Sequence, residues 1–196
     1  MGNASTKDGK PRMAMGAMAN ATRFEGEELV LLQKKFFDLS SREDGQMSTI
    51  TRAEFREALE AVEVVEDDVQ IFDKLFTMYD KTGNDRIFYW QILVGLAPLC
   101  HGSVEEKLAL AFKLYDVAGT GEATAGDAEI ILAAINETAS YFGDPMVRRE
   151  DVKRMAQEVF ASAGASCRYA ERMSALAHHP ICNQFIAGHG TVRYAP

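Results

Sequence analysis

The sequence predicts an all-α protein of two lobes, each a pair of helix–loop–helix units, with a flexible N-terminal arm and a C-terminal tail. Two observations lead to this prediction. Apolar residues recur at helical spacing along most of the chain, and segments 69–80 and 105–116 align with each other and both end in Tyr-Asp. With 196 residues, of which 47% are hydrophobic, the chain is long enough for one sizeable core or two small lobes.

The net charge, the cysteines and the lengths of the apolar runs limit which kinds of partner and location are expected for the chain. A net charge of -8 argues against a general affinity for nucleic acid or anionic membrane, which relies on clustered Lys and Arg. Three irregularly spaced cysteines do not form a disulfide framework or a zinc motif, so reduced thiols are expected. No apolar run reaches the ~18 residues that a membrane span requires. We therefore expect a cytoplasmic chain with protein or metal partners.

The two aligned segments predict helices with matching apolar stripes. Each helix ends at an Asp and is followed by a short polar loop, and a helical pattern resumes over 87–96 or 127–135. Helix, polar loop, helix, repeated, is the plan of the EF-hand. The paired stripe residues are Phe72, Leu75, Phe76 and Tyr79 in one segment and Leu108, Ala111, Phe112 and Tyr115 in the other.

Two further units appear in the same register, so the chain is predicted to contain four EF-hands. The first exiting helix is predicted over 52–62 and the fourth from Ala170 to Ala177, and a hinge at Gly143 and Pro145 precedes the fourth entering helix. A lone hand leaves its loop strand and apolar faces uncovered, so the hands are expected to pair. The entering stripes are Leu29, Leu32, Phe36 and Leu39 for the first hand, and Val152, Met155, Ala156 and Val159 for the fourth. The predicted divisions are an arm (1–24), two EF-hand pairs (25–99 and 100–177) and a tail (178–196).

The loop of the third hand, residues 116–127, is the best metal candidate. An EF-hand loop supplies oxygen ligands at positions 1, 3, 5, 7 and 9, ends in a bidentate Glu and needs Gly at position 6. Gly121 keeps that turn, but Ala118 removes the ligand at position 3, and the shorter side chain at position 12 favours the compact coordination of magnesium. The weak site predicted here consists of Asp116, Thr120, the Glu122 carbonyl and Asp127.

The loop of the second hand, residues 80–91, predicts a second weak site. Its ligands would be Asp80, Thr82 and Asn84, but Gln91 cannot act as a bidentate carboxylate, and Asp85 replaces the turn glycine. At most weak binding of calcium or magnesium is expected in these two loops, and a retained shape without an ion remains an alternative.

The first and fourth loops are predicted to bind no metal. The first is longer than the standard and places Arg42 beside its one carboxylate, Asp44. In the fourth, residues 160–171, Phe160 stands at position 1 and Ala165 at the turn, and of the ligands only Glu171 survives. The four loops are thus mostly degenerate.

The first residues, MGNAST, fit the N-myristoylation pattern. Gly2 would become the terminal residue after removal of Met1, with Thr6 at the position that prefers a small hydroxyl. A single acyl chain binds membrane only marginally, so membrane association is expected only if Gly2 is acylated.

The segment HGSVEEKLALAFKLYD (101–116) resembles the neuronal calcium sensor and calcineurin B branch of EF-hand proteins, and within it the calaxin-like proteins of ciliary outer dynein arms. The first hand, FFDLSS followed by an enlarged loop and TRAEFREAL (51–59), is similar to the atypical first hand of that group, and the tail AHHPICNQFIAGHG (177–190) also fits. The resemblance implies a subunit that tethers outer dynein arms, with their docking complex, to the doublet microtubule. Ala118, Gln91 and Phe160 depart from the ligands of that group.

Three functions remain open from the sequence, of which the third is calcium sensing, and no catalytic arrangement or phosphate loop predicts an enzyme. The first is a non-catalytic adaptor of the axoneme, in the cilium or flagellum, that grips helices of docking-complex coiled coils or dynein. It would contact the microtubule doublet indirectly. The second is a myristoylated regulatory subunit, like calcineurin B or a neuronal sensor, held at a membrane.

Overall fold

A computed structural model describes residues 26–40, 49–62, 66–142, 144–160 and 166–186. This part of the chain is mostly helical and has an all-α EF-hand fold, which confirms the predicted fold class. The eight α-helices of the described residues are α1 (Gly26–Ser40), α2 (Arg52–Ala61), α3 (Glu66–Tyr79), α4 (Tyr89–Leu96), α5 (Val104–Tyr115), α6 (Ala125–Tyr141), α7 (Arg149–Phe160) and α8 (Met173–Ala177).

Four short strands join the helix–loop–helix units in pairs. Strands β1 (Thr49–Thr51) and β2 (Arg86–Phe88) are antiparallel, with Ile50 opposite Ile87, and both of these isoleucines are buried. Strands β3 (Glu122–Ala123) and β4 (Cys167–Arg168) form the second antiparallel pair. The loops of the first and second hands therefore pair with each other, and so do the loops of the third and fourth.

Three helices begin with a reciprocal cap that the sequence encodes locally. Thr124 and Asp127 form such a capping box at the start of α6: the Thr124 hydroxyl accepts from the Asp127 N–H, and a carboxylate oxygen of Asp127 accepts from the Thr124 N–H. Thr51 with Glu54 and Ser103 with Glu106 do the same for α2 and α5. The Ser103 groups lower the pKa of Glu106 through these hydrogen bonds. Each box satisfies N–H groups that a helix start otherwise leaves unpaired.

Two helix boundaries differ from the predicted ones. The third exiting helix, predicted over 127–135, runs from Ala125 to Tyr141, because buried residues continue beyond Ile135 as far as Ala139. The fourth exiting helix, predicted from Ala170, is a 3₁₀ turn (Tyr169–Arg172) that leads into the short α8. No side chain caps the start of either piece, so the regular α-helix begins late.

The predicted apolar stripes meet in the core of the described residues. In the first pair of hands, Phe36 stacks on Phe55 with ring centroids 5.4 Å apart, and Phe72 and Phe76 contact the same ring at 5.9 and 5.2 Å. All four of these phenylalanines are fully buried. The corresponding contact in the second pair is Phe112 stacked on Phe160 at 5.8 Å. Buried aromatic area of this size is a main contribution to stability.

The two pairs of hands are in contact through α3, α4 and α6. The Tyr79 hydroxyl at the end of α3 hydrogen-bonds the Thr138 hydroxyl of α6, and Thr138 also donates to the Ala134 carbonyl at 2.9 Å. Burial strongly raises the pKa of Tyr79. Gly95 of α4 lies against this pair, since a Cβ at Gly95 would be 2.0 Å from the Thr138 Oγ1 and 2.7 Å from the Tyr79 hydroxyl. Only glycine fits at this contact.

Several predicted features lie outside the described residues. They are the N-terminal arm with Gly2, most of the enlarged first loop with Arg42 and Asp44, the Gly143 hinge, Ala165 and the tail beyond Ile186. The predicted domain boundaries at 24, 99 and 177 stay predictions. Among the described helices, none has both the length and the apolar character needed to cross a bilayer.

We predict that Gly95→Ala destabilises the protein by roughly 1–3 kcal/mol, the usual cost of overpacking a core. The new methyl group has to separate Tyr79 from Thr138, and this cost exceeds the gain of about 1 kcal/mol in helix propensity. Urea unfolding monitored by circular dichroism measures the change.

Gly126→Ala is the matched control, because a Cβ at Gly126 in the first turn of α6 meets only the Thr124 Oγ1, at an ordinary 3.5 Å. It is expected to leave stability unchanged or slightly raised. Equal stability of the Gly95→Ala variant and the parent chain would contradict the packing described for α4 and α6.

Candidate metal-binding loops

The third loop is held in a turn by the carboxylate at its first position. Asp116 Oδ1 accepts from the Thr120 N–H at 3.0 Å and from the Thr120 hydroxyl at 3.2 Å, and Asp116 Oδ2 accepts from the Gly121 N–H at 2.7 Å. Gly121 has φ +71°, a left-handed conformation that glycine adopts without strain. The structure thus brings two predicted ligand residues, Asp116 and Thr120, into direct contact.

Of the other two predicted ligand residues, Asp127 is engaged elsewhere, whereas Glu122 makes its contact through the side chain and not through the carbonyl that was predicted to bind the metal. Asp127 Oδ2 accepts from both the N–H and the hydroxyl of Thr124, at 2.9 and 2.7 Å, as part of the capping box. The Glu122 side chain accepts from the Ser166 hydroxyl at 2.7 Å, beside the strand pair β3–β4. Asp127, which at position 12 would complete the coordination of a metal ion, is therefore also part of the cap of α6.

The second loop repeats this arrangement. Asp80 Oδ1 accepts from the Asn84 N–H at 3.2 Å and from the Thr82 hydroxyl at 3.3 Å, while Asp80 Oδ2 accepts from the Asp85 N–H at 2.9 Å. The three predicted ligands Asp80, Thr82 and Asn84 are therefore close together. Asp85 has φ +60°, as expected for the residue that replaces the turn glycine.

Two ion pairs connect the second loop to other hands. Arg52, the first residue of α2, donates through Nε to Asp85 Oδ1 at 3.0 Å, and its guanidinium lies 4.3 Å from the centroid of the Phe76 ring. Lys81 forms an ion pair with Glu137 of α6. These contacts join the second loop to the first hand and to the third.

The fourth loop has a hydrophobic residue where a metal ligand would stand. Phe160 is buried and stacks on Phe112, so it belongs to the core. Glu171 lies in the 3₁₀ turn after β4 and is exposed. In the first loop, the described Ser40 is buried and donates to the Phe37 carbonyl at 3.0 Å.

The donor sets of the second and third loops are incomplete for calcium. Ca²⁺ takes six to eight oxygen ligands, including a bidentate carboxylate at position 12. In the third loop Ala118 supplies no side-chain oxygen, and in the second loop Gln91 supplies no carboxylate. In the part of the chain that the structure describes, no three His, Cys, Asp or Glu residues are grouped as metal ligands would be. These loops therefore have the backbone shape of an EF-hand but lack part of the ligand set that calcium requires.

The sequence placed Tyr115 in an apolar stripe but did not predict the contacts that this aromatic residue makes beside the third loop. Tyr115 precedes Asp116, and its pKa is raised by burial and by the charge and hydrogen bond of Asp127. The Trp90 ring meets Tyr115 edge to face, with centroids 5.4 Å apart. The capping boxes, by contrast, could have been read from the Ser/Thr-x-x-Asp/Glu spacing of the sequence.

Comparison with known proteins supports the EF-hand superfamily. Calcium-binding protein NCSA of Dictyostelium discoideum is 32% identical over 125 residues, which are 64% of this chain and 63% of that protein. A recoverin family protein of the same organism is 29% identical over 150 residues, 72% of this chain and 65% of that protein. Calaxin of Homo sapiens is 30% identical over 104 residues, 52% of this chain and 49% of that protein. No protein-family model matches the chain.

The matches cover only part of each relative. The chain spans less than two thirds of the length of both Dictyostelium proteins, and about half of calaxin. The similarity supports kinship with EF-hand calcium-binding proteins of the neuronal calcium sensor, recoverin and calcineurin B type.

We predict that Ala118→Asp combined with Asp127→Glu gives the third loop measurable calcium binding. The double variant restores a carboxylate at position 3 and a bidentate one at position 12, while Asp116 and Gly121 already have the required turn. Glu at position 127 also keeps the capping box. Isothermal titration calorimetry is the measurement.

Adding Asp116→Ala to the double variant is the control and should abolish the heat of binding. If the double variant gives no more heat than the parent chain, the loop backbone is not the EF-hand frame described above.

Proposed function

We propose that this chain is a non-catalytic EF-hand adaptor subunit of the ciliary or flagellar axoneme that helps to dock outer dynein arms onto doublet microtubules, with little or no calcium binding. The observation that carries the proposal is the retention of loop shape with incomplete ligand sets. The first-position carboxylates of two loops hold the turns by hydrogen bonds, while Ala118, Gln91 and Phe160 stand at ligand positions.

Loops that keep the EF-hand shape but lack metal ligands favour a role in partner binding over a role in calcium sensing. An EF-hand sensor switches because the ion changes the angle between its helices. In this protein, side-chain hydrogen bonds and core packing already fix the loops. The angle between the helices of a hand then stays the same, and the hand serves as a binding surface for other proteins. In this proposal the second and third loops, with Asp80 and Asp116, bind calcium or magnesium at most weakly.

The axonemal setting is supported by similarity to calaxin, both in the resemblance of the first and third hands and in the identity over 104 residues. That resemblance implies helices of docking-complex coiled coils or of dynein as direct partners, with the microtubule contacted indirectly.

A second candidate is a myristoylated regulatory subunit at a membrane, like calcineurin B or a neuronal sensor. The MGNAST start favours it, and so does the similarity to a recoverin family protein. The two candidates differ in the role of Gly2. The adaptor reaches the axoneme without a myristoyl group on Gly2, whereas the membrane subunit needs that group to stay at the membrane.

We predict that Gly2→Ala leaves axonemal incorporation of the tagged full chain nearly unchanged. The measurement is the fraction of chain retained in detergent-extracted cilia, with identification of co-purifying proteins, and Gly9→Ala is the matched control. Co-purification of docking-complex coiled coils supports the adaptor. Loss of both membrane association and axonemal incorporation in the Gly2→Ala variant, with a phosphatase as the partner, would establish the second candidate instead.

We also predict that micromolar free calcium leaves the fluorescence of Trp90 unchanged. Trp90 is the only tryptophan, and its contact with Tyr115 places it beside the third loop, so ion binding there would alter its surroundings. A calcium-dependent change that Asp116→Ala removes would contradict the proposal of a largely metal-free protein.

A further inference from the structure

Most of the large hydrophobic side chains among the described residues are buried or partly buried. The described residues leave six large hydrophobic side chains exposed, and two of them, Ile130 of α6 and Met146 of the α6–α7 connection, line one cleft. Their exposed fractions are 39% and 61%. A concave site lined mainly by apolar side chains, two of them exposed, is a candidate binding site.

The cleft has a volume of about 660 Å³ and spans both pairs of hands. Lys81, Trp90 and Gln91 enter it from the second hand, and the remaining walls come from α6, the α6–α7 connection and α7. The apolar lining consists of Trp90, Ile130, Ala133, Ala134, Met146, Val147 and Val152. We call this site the inter-lobe cleft.

Hydrogen bonds hold the inter-lobe cleft in shape. The buried Asn136 amide donates to the Val147 carbonyl at 2.8 Å, and its oxygen accepts from the Val147 N–H at 3.0 Å, which fixes the α6–α7 connection on α6. Across the cleft, Glu137 pairs with Lys81 and accepts from the Tyr141 hydroxyl at 2.8 Å. A site formed in advance loses less conformational entropy when a partner binds.

The lining of the cleft contains more cationic than anionic side chains, and each of these cations is paired with a carboxylate of the chain. The lining contains Lys81, Arg148 and Arg149 but only one carboxylate, Glu137, in a chain whose net charge is -8. Arg148 is bonded to Asp151 at 2.8 Å and Arg149 to Glu129 at 3.5 Å, with 77% and 79% of their side chains exposed. Such exposed pairs are weak, and a guanidinium has five N–H donors, so each arginine can bind a second carboxylate.

The walls of the cleft favour a helix as the occupant. They are mostly helical, so their backbone groups are bonded internally and offer no sheet edge to which an extended peptide could add. An apolar stripe would lie on Ala133, Ala134 and Ile130, and acidic side chains beside it would reach Arg148 and Arg149.

We propose that the inter-lobe cleft binds an amphipathic helix of a partner protein whose apolar stripe is flanked by Asp or Glu. The inference rests on the proposed adaptor function and extends it, because it names the surface and the charge class of the partner. The negative charge of the rest of the chain repels such a helix elsewhere, so the cleft also fixes where it docks.

The test uses two designed peptides of about 16 residues, roughly four and a half helical turns, with the same Leu and Ala stripe. One peptide carries Glu at the flanking positions and the other carries Lys. Both are titrated into the full chain while the fluorescence of Trp90, which lines the cleft, is followed. We expect saturable binding of the Glu peptide and binding of the Lys peptide weaker by about tenfold, which corresponds to about 1.4 kcal/mol.

The double variant Arg148→Glu/Arg149→Glu is expected to reverse this preference, and Lys153→Glu, an exposed cation of α7 outside the lining, to preserve it. Circular dichroism confirms that each variant is folded. Equal binding of both peptides, no binding of the Glu peptide, or an unchanged preference in the double variant overturns the proposal. A dimer of the chain that the double variant dissociates also overturns it, because a second copy would then occupy the cleft.

The same double variant separates this inference from the proposed function. If the parent chain co-purifies with docking-complex coiled coils and the variant does so equally well, the cleft proposal is wrong and the adaptor function stands. If the parent chain is not retained in cilia, the adaptor function is wrong, and the peptide titration still decides whether the cleft binds acidic helices.

Discussion

The described loops depend on one kind of hydrogen bond, from backbone N–H groups to the carboxylate at the first loop position. Asp116 accepts from Thr120 and Gly121, and Asp80 accepts from Asn84 and Asp85. A bond to an ionised acceptor is stronger than one between neutral groups, and it satisfies donors that a tight turn otherwise leaves to water. The turn then places β2 and β3 where they can pair with β1 and β4. The pairing of the first hand with the second, and of the third hand with the fourth, therefore depends on these turns.

The contact between the two pairs of hands has a different origin. It depends on close packing of α4 on α6 at Gly95, and on the buried bond between Tyr79 and Thr138. The ion pair of Lys81 with Glu137 lies at the edge of the same contact and also at the rim of the inter-lobe cleft. The packing that joins the lobes therefore also forms the surface proposed for a partner. An adaptor gains from such rigidity, because a preformed surface binds with little ordering cost.

The sequence predicted the repeating features of the fold well. Helical spacing of apolar residues located six of the helices to within a few residues, since burial of one face is what stabilises them, but it ended α6 at Ile135 instead of Tyr141. It misplaced the start of α8, where a 3₁₀ turn without a side-chain cap delays the helix. The approach of Gly95 to Thr138 could not be predicted, because the two residues are far apart in sequence and their contact depends on how the lobes pack. The ligand positions of the loops followed from spacing, and the use of Asp127 as a cap could have been read from its spacing to Thr124, but the contact of Arg52 with Asp85 required the structure.

The central claim is that the protein's own hydrogen bonds, without an ion, hold the loops in the EF-hand frame. Amide hydrogen exchange of Thr120, Gly121, Asn84 and Asp85 tests it most directly, measured in a calcium chelator and again with excess calcium. We expect these four amides to exchange more slowly than the amide of Gly119, which bonds only a backbone carbonyl, and to exchange at the same rates in both conditions. Fast exchange in the chelator that becomes slow with calcium would contradict the claim, because the ion would then be what forms the turn.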